Sequence, residues 1–124
     1  MAPIAVKVLE SDPVPAPPAQ TAFDRAHLSR MTFGDGALER ELLQLFDRQA
    51  VLLLERMRSG GSGAVAALAH TLKGSAAGLG AIGVAEAAAA VERAVQPDAR
   101  RAAIAKLAQA VAQARAAIAD MLAG

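Results

Sequence analysis

Cysteine, tryptophan and tyrosine are absent from this 124-residue chain, and phenylalanine occurs only three times. Without cysteine there is no disulfide framework, no thiolate zinc site and no thiol chemistry. So few aromatic residues in an alanine-rich background suit packed helices far better than sheets. Thirteen basic residues against twelve acidic leave a formal net charge of +1, which offers no footprint for nucleic acid or for a membrane surface. No run approaches the roughly 18 apolar residues that a spanning helix needs. The opening MAPIAVKVLESD lacks the apolar core and small-residue cleavage site of a secretory signal. These absences lead to the expectation of a soluble, cytoplasmic, single-domain protein.

What is present is helical periodicity, interrupted by glycine and proline. Residues 12–18 hold four of the six prolines and cannot form a helix or an inner strand, so residues 1–20 read as a flexible tail. Thr21 to Asp24 resembles a capping box opening a short helix that ends near Met31. Gly34-Asp35-Gly36 breaks the chain, with Asp35 as the next cap. Leu38, Leu42, Leu45, Phe46, Leu52, Leu53 and Met57 then recur at helical spacing. The loop at residues 59–63 is followed by a third long element capped by Ser62 and ended by Gly78, Gly80 and Gly83. A fourth helix, about 81–95, stops before Pro97. Asp98 is expected to cap the last helix, striped by Ile104, Leu107, Val111, Ile118 and Leu122 or Met121. The pattern predicts an all-α fold: residues 21–124 form an antiparallel up-down four-helix bundle with a short additional N-terminal helix.

Gly78-Leu79-Gly80-Ala81-Ile82-Gly83 fits the dinucleotide fingerprint G-x-G-x-x-G, but the context is wrong. That fingerprint works where a strand delivers the chain into a helix N-terminus. Here residues 68–77 read as helix, and no second strand supplies an acidic partner about 20 positions on. The glycines are better read as a helix–helix corner.

Upstream of that corner, His70 stands on an unusual face. On a helix of about 100° per residue, Val65, Leu68, Leu72 and Leu79 define the buried stripe, and His70 lies opposite it. Its surface neighbours are Gly63, Ala66, Gly74 and Ala77 where a solvent face normally carries Lys, Glu and Gln. A bare surround lets a second protein approach the ring, and Gly74 in mid-helix costs about 1 kcal/mol relative to Ala, so something other than helix stability favours it. Lys73, one turn on, can reach an anion held on the ring. A neutral imidazole is a nucleophile near physiological pH. These residues describe a histidine able to accept a phosphoryl group; they also fit an ordinary surface histidine on an alanine-rich helix.

Glu92 bears on the choice. Val84, Ala88, Val91 and Val95 form the core face of the fourth helix, and Glu92 lies at its border. If the chain folds back at residues 78–81, positions 70 and 92 come level, and the carboxylate can take a hydrogen bond from one ring nitrogen, leaving the other as nucleophile. An ordinary boundary glutamate fits the pattern as well.

Ala69-His70-Thr71-Leu72-Lys73-Gly74-Ser75-Ala76, followed by Leu79-Gly80-Ala81, resembles the signature of the histidine-containing phosphotransfer (HPt) domain. Phe23-Asp24 with Leu28, Leu45-Phe46 and Val91-Glu92 extend the resemblance over roughly residues 22–122. It implies that His70 is the phosphoacceptor, that Lys73 assists the phosphoryl group or docking, that Gly74 keeps the approach open, and that Glu92 contacts the histidine. It further implies a shuttle of phosphoryl groups between aspartates on the receiver domains of a hybrid histidine kinase and a response regulator. The protein would then be a phosphocarrier without kinase activity, needing no cofactor of its own, with Mg²⁺ on the receiver. The loop Ser59-Gly60-Gly61-Ser62-Gly63, where relatives often carry an acidic residue, departs from that pattern and leaves partner choice open.

Two other readings compete. The dimerisation and phosphoacceptor domain of a histidine kinase typically has an acidic residue after the histidine, where this chain has Thr71. It also needs two chains to complete four helices. A non-catalytic bundle could use the bare face to bind partners without phosphate. A metal site is disfavoured, because His27 and His70, the only imidazoles, fall on different helices, and His27 reads as a plain helix residue. Four amphipathic helices in one chain predict a monomer.

Overall fold

Aspartates open the first two helices of the computed structural model, which describes residues 22–59 and 62–124. Asp24 caps α1 (Arg25–Met31), its side chain accepting the His27 N–H at 3.0 Å. Asp35 caps α2 (Gly36–Ser59) as expected, taking the Leu38 N–H on Oδ1 at 3.1 Å. Each supplies an acceptor to an N–H group that has no partner within its own helix. The cap of α1 is thus Asp24, three residues later than the capping-box reading. Asp24 has an extended backbone, and its own N–H is spent on the carbonyl of Gly80 at 2.7 Å. Residues 1–20 and Thr21 lie outside the described residues.

Three more helices follow: α3 (Ser62–Leu79), α4 (Ile82–Arg93) and α5 (Pro97–Ala123). No strand occurs among the described residues. The side chain of Ser62 lies outside them, so its expected capping role has no counterpart here. Asp98 is not the cap of α5. Gln96 holds that position without a side-chain bond, Pro97 supplies the preset φ of the first turn, and Asp98 is the second residue of that turn, paired with Arg101 at 3.1 Å. α4 stops at Arg93, with Ala94 already extended, which leaves Val95 79% exposed and not on the core face.

The four long helices form the expected antiparallel bundle, with α2 and α4 each packed between α3 and α5. α1 lies across the end of α3. The core is built from one large residue per turn alternating with alanine: Leu43, Phe46, Leu72, Val84, Val91 and Leu107 are essentially sealed, and so are Ala50, Ala69, Ala76 and Ala88. Alanine at contact positions lets helix axes approach toward the short end of the usual 8–10 Å range. Phe23 packs edge-on against Phe46, with ring centroids 6.3 Å apart, and plugs the α1 end of the bundle. Truncating a sealed leucine such as Leu72 to alanine typically costs about 2–5 kcal/mol.

The core stripe of α2 differs from the sequence reading. Leu43, Ala50 and Leu54 are buried beside Phe46, Leu53 and Met57, while Leu38, Leu45 and Leu52 remain substantially exposed. The leucines of α2 occupy two adjacent stripes, and only contact with α3 and α5 decides which of them faces inward.

One glycine makes the α3–α4 corner. Gly80 has φ +83, and a Cβ there would lie 2.9 Å from the Asp24 carbonyl oxygen and 3.3 Å from the His27 ring. Gly78 and Gly83 lie inside α3 and α4, so they do not form the corner.

The end of α1 follows different chemistry. Gly34 N–H bonds the Ser29 carbonyl at 2.9 Å and Phe33 N–H bonds that of Arg30 at 3.3 Å, the paired bonds of a Schellman motif. The left-handed position in that motif normally belongs to glycine. Here it is Phe33, at φ +55, with Gly34 following at φ +73. A side chain in this region costs roughly 1–2 kcal/mol. Thr32, fully buried, helps hold the turn through its hydroxyl, which donates to the Leu28 carbonyl at 3.0 Å.

Two glycine substitutions should move stability in opposite directions in a urea titration. Gly80→Ala should lose about 1–3 kcal/mol through its left-handed backbone and the contact with Asp24. Gly74→Ala, whose Cβ would meet nothing within 4 Å, should gain up to about 1 kcal/mol.

Candidate functional site

Helix α3 divides sharply into two faces. Val65, Ala69, Leu72, Ala76 and Leu79 are buried, with Leu68 only partly so, because the alanines at 69 and 76 carry the centre of the contact. On the opposite side the His70 side chain is 68% exposed. Around it Gly63, Gly74 and Ala77 are exposed and Ala66 is half-buried, so the bare surround expected from the sequence is present. Neither Gly63 nor Gly74 has a neighbour within 4 Å of a notional Cβ.

The fold brings Glu92 to the histidine. The corner at Gly80 returns α4 antiparallel to α3, and residues 22 positions apart meet: Glu92 Oε2 lies 2.8 Å from His70 Nδ1. Its other oxygen, Oε1, lies 2.8 Å from Lys73 Nζ. One half-buried carboxylate therefore bridges imidazole and ammonium. The sequence reading had Lys73 within reach of an anion held on the ring; in the structure its ammonium rests on the carboxylate of Glu92.

This geometry sets the tautomer. Hydrogen bonds from Lys73 and then from His70 hold the Glu92 carboxyl below its ordinary range; burial opposes them, and electrostatic attraction from the same two side chains reinforces them. An ionised carboxylate only accepts, so Nδ1 of His70 carries the proton and donates it. In the neutral ring, Nε2 then holds the free lone pair, directed away from α4 into solvent.

Beside this face runs a groove of about 380 Å³ between α2 and α3, with Met31 of α1 at one end. Leu42, Leu45 and Gln49 form its α2 wall, and Gly74 and Gly78 belong to its α3 wall. Gly74 thus borders both the groove and His70. The sequence reading missed this groove because it counted Leu42 and Leu45 in one helical repeat with Phe46, Leu53 and Met57. The available signal was an excess of leucine on α2, more than one stripe can bury.

His27 is not a plain helix residue. Its Nε2 lies 3.0 Å from the Gly78 carbonyl, tying α1 to the last turn of α3. No group of three or more His, Asp or Glu side chains among the described residues is arranged to hold a metal ion. No helix among them is long and apolar enough to cross a membrane.

Lowering the pH should disassemble the bridge from its carboxylate. Because the Glu92 midpoint is depressed, its bonds to Lys73 and His70 are intact at neutral pH and are lost as the pH falls through that lowered midpoint. Carbon-detected NMR of the Glu92 carboxyl should show the midpoint rising toward the ordinary carboxylate range in Lys73→Ala. An unchanged midpoint would mean that the ammonium does not engage the carboxylate in solution.

The family model described as the Hpt domain matches residues 37–123, well over half of the chain. No curated protein and no solved structure matches.

Proposed function

The chain belongs to the Hpt domain family, and on that premise we propose that it carries a phosphoryl group on Nε2 of His70 between receiver domains of a hybrid histidine kinase and a response regulator. Hpt domains are histidine phosphocarriers of phosphorelays and meet the receiver domains of two-component proteins. The observation that carries the assignment to this residue is the bridge at Glu92. It leaves one exposed ring nitrogen with a free lone pair, on a face stripped of large side chains.

The chemistry balances without a proton leaving the site. The Nε2 lone pair attacks the phosphorus of an aspartyl phosphate on the receiver. The bond from phosphorus to the aspartyl oxygen breaks, and the carboxylate departs with the electron pair. The product ring, phosphorylated on Nε2 and protonated on Nδ1, carries positive charge against Glu92. Transfer to a second receiver reverses these steps. The flexible Lys73 stem lets its ammonium turn from Glu92 to the incoming phosphoryl oxygens. Gly63, Ala66, Gly74 and Ala77 provide the docking surface around the ring, continued by the groove along α2.

On this reading the chain is a carrier with no kinase activity and works in the cytoplasm as a monomer through residues 21–124. Sedimentation should give a monomer mass at all concentrations, and a chain starting at Gln20 should fold and transfer like the full chain; a concentration-independent dimer, or a truncated chain that fails, would contradict this.

The site is tested with a phosphorylated receiver domain as donor. The unaltered chain should acquire acid-labile, alkali-stable label. His70→Gln should acquire none while keeping its helical circular dichroism. Lys73→Ala should transfer slower by on the order of tenfold, the loss expected of one charge-assisted hydrogen bond. Gly74→Leu should keep or raise helicity yet block transfer, because the new side chain stands one turn from the ring. Transfer at the unaltered rate in Gly74→Leu would show that the bare face does not dock receivers.

A further inference from the structure

Phe33 is the most conspicuous residue that the phosphotransfer site leaves unexplained. It occupies the left-handed position of the α1 Schellman motif at φ +55 and is 93% exposed. A strained backbone position is ordinarily either given to glycine or offset by burying the side chain. Phe33 has neither compensation, although glycine is the very next residue. The turn around it is nonetheless rigidly specified: its own N–H, that of Gly34 and the buried Thr32 hydroxyl are all bonded back into α1. The fold thus holds an aromatic ring out in water at a measurable cost in stability.

Its surroundings indicate what covers it. Met31, two residues earlier, is 44% exposed, lines the groove and lies over Gly78. Leu38 and Leu45, 36% and 55% exposed, continue the apolar surface along α2. Gly78 is eight residues from His70 on the same helix, hence about 12 Å along the axis. A partner that brings an aspartate to His70 through a standard interface covers about 800 Å² of this chain, a patch roughly 30 Å across. A footprint of that size is wide enough to take in the groove that Gly74 borders beside His70 and that Met31 also lines.

We propose that Phe33 is an anchor of the receiver-docking surface, a pre-positioned aromatic side chain that enters an apolar pocket on the receiver when that domain covers the groove and His70. This rests on the proposed phosphotransfer function and adds to it a determinant of partner choice remote from the chemistry. Aromatic residues that a rigid backbone pre-positions make effective anchors because little conformational freedom is lost on binding.

The test separates stability, affinity and chemistry. The probe is a beryllofluoride-loaded receiver domain, chosen from a panel as one whose phosphorylated form labels the unaltered chain. Phe33→Gly and Phe33→Asn should melt at the same or a higher temperature than the unaltered chain, since both residues tolerate the left-handed region. Their Kd for the receiver should rise at least tenfold. Phe33→Leu, apolar at the same strained position, should fall between them and the unaltered chain. At saturating receiver all three should reach the same final extent of His70 labelling. A Kd within twofold of the unaltered value in Phe33→Gly and Phe33→Asn would overturn the proposal. So would a change in sedimentation mass with receiver affinity unchanged, which would assign Phe33 to contact between copies of the chain. If no receiver labels the unaltered chain, the phosphotransfer reading falls and takes the anchor with it. Label without an effect at Phe33 removes the anchor alone.

Discussion

The reversal at Gly80 is the constraint on which the rest of this structure depends. Two residues, Gly80 and Ala81, separate α3 from α4, and only a left-handed backbone at Gly80 closes so short a connection. Its carbonyl also receives the Asp24 N–H, so the same residue that turns the chain seats α1. The turn sets the register of α4 against α3, and register places Glu92 opposite His70 and Lys73. A connection one residue longer would rotate position 92 by about 100° around its helix, away from the ring. The tautomer of His70 is thereby decided ten residues away, by the conformation of a glycine.

Helix α3 serves two masters on its two faces. Inward, alanines and leucines pack close against α4 and α2. Outward, glycine and alanine leave the imidazole standing clear. The ion bridge completes the arrangement from the side: a single carboxylate orients the ring with one oxygen and holds a mobile cation in reserve with the other. The family match over residues 37–123 accords with the phosphocarrier role proposed for this site.

Much of this was legible in the sequence, for identifiable reasons. The face of His70 followed from helical period alone, because α3 has a single apolar stripe. The pairing with Glu92 followed from the shortness of the corner, which leaves little freedom of register. The groove was not legible, since α2 carries leucine on two neighbouring stripes and periodicity cannot choose between them without the packing partners. The partner of Lys73 depends on the rotamers of a long chain. Phe33 was hidden by Gly34, the residue that a pattern search selects as the helix terminator. Asp98 was misread because Pro97 already supplies what starts α5.

The alanine-built interface between α3 and α4 has a consequence for how this domain tolerates sequence change. In a core of large side chains the damaging direction is truncation, which opens cavities. Where Ala69, Ala76 and Ala88 are completely buried, little remains to truncate, and the damaging direction is growth. An added isopropyl group at any of them has no void to enter, and forcing extra methylenes into a well-packed interior commonly costs about 1–3 kcal/mol. Relief comes by spreading the helices, and spreading α3 from α4 draws the carboxylate of Glu92 off the ring of His70. Overpacking on the buried side of α3 would therefore register first as a loosened imidazole on the opposite side, before the bundle itself gave way.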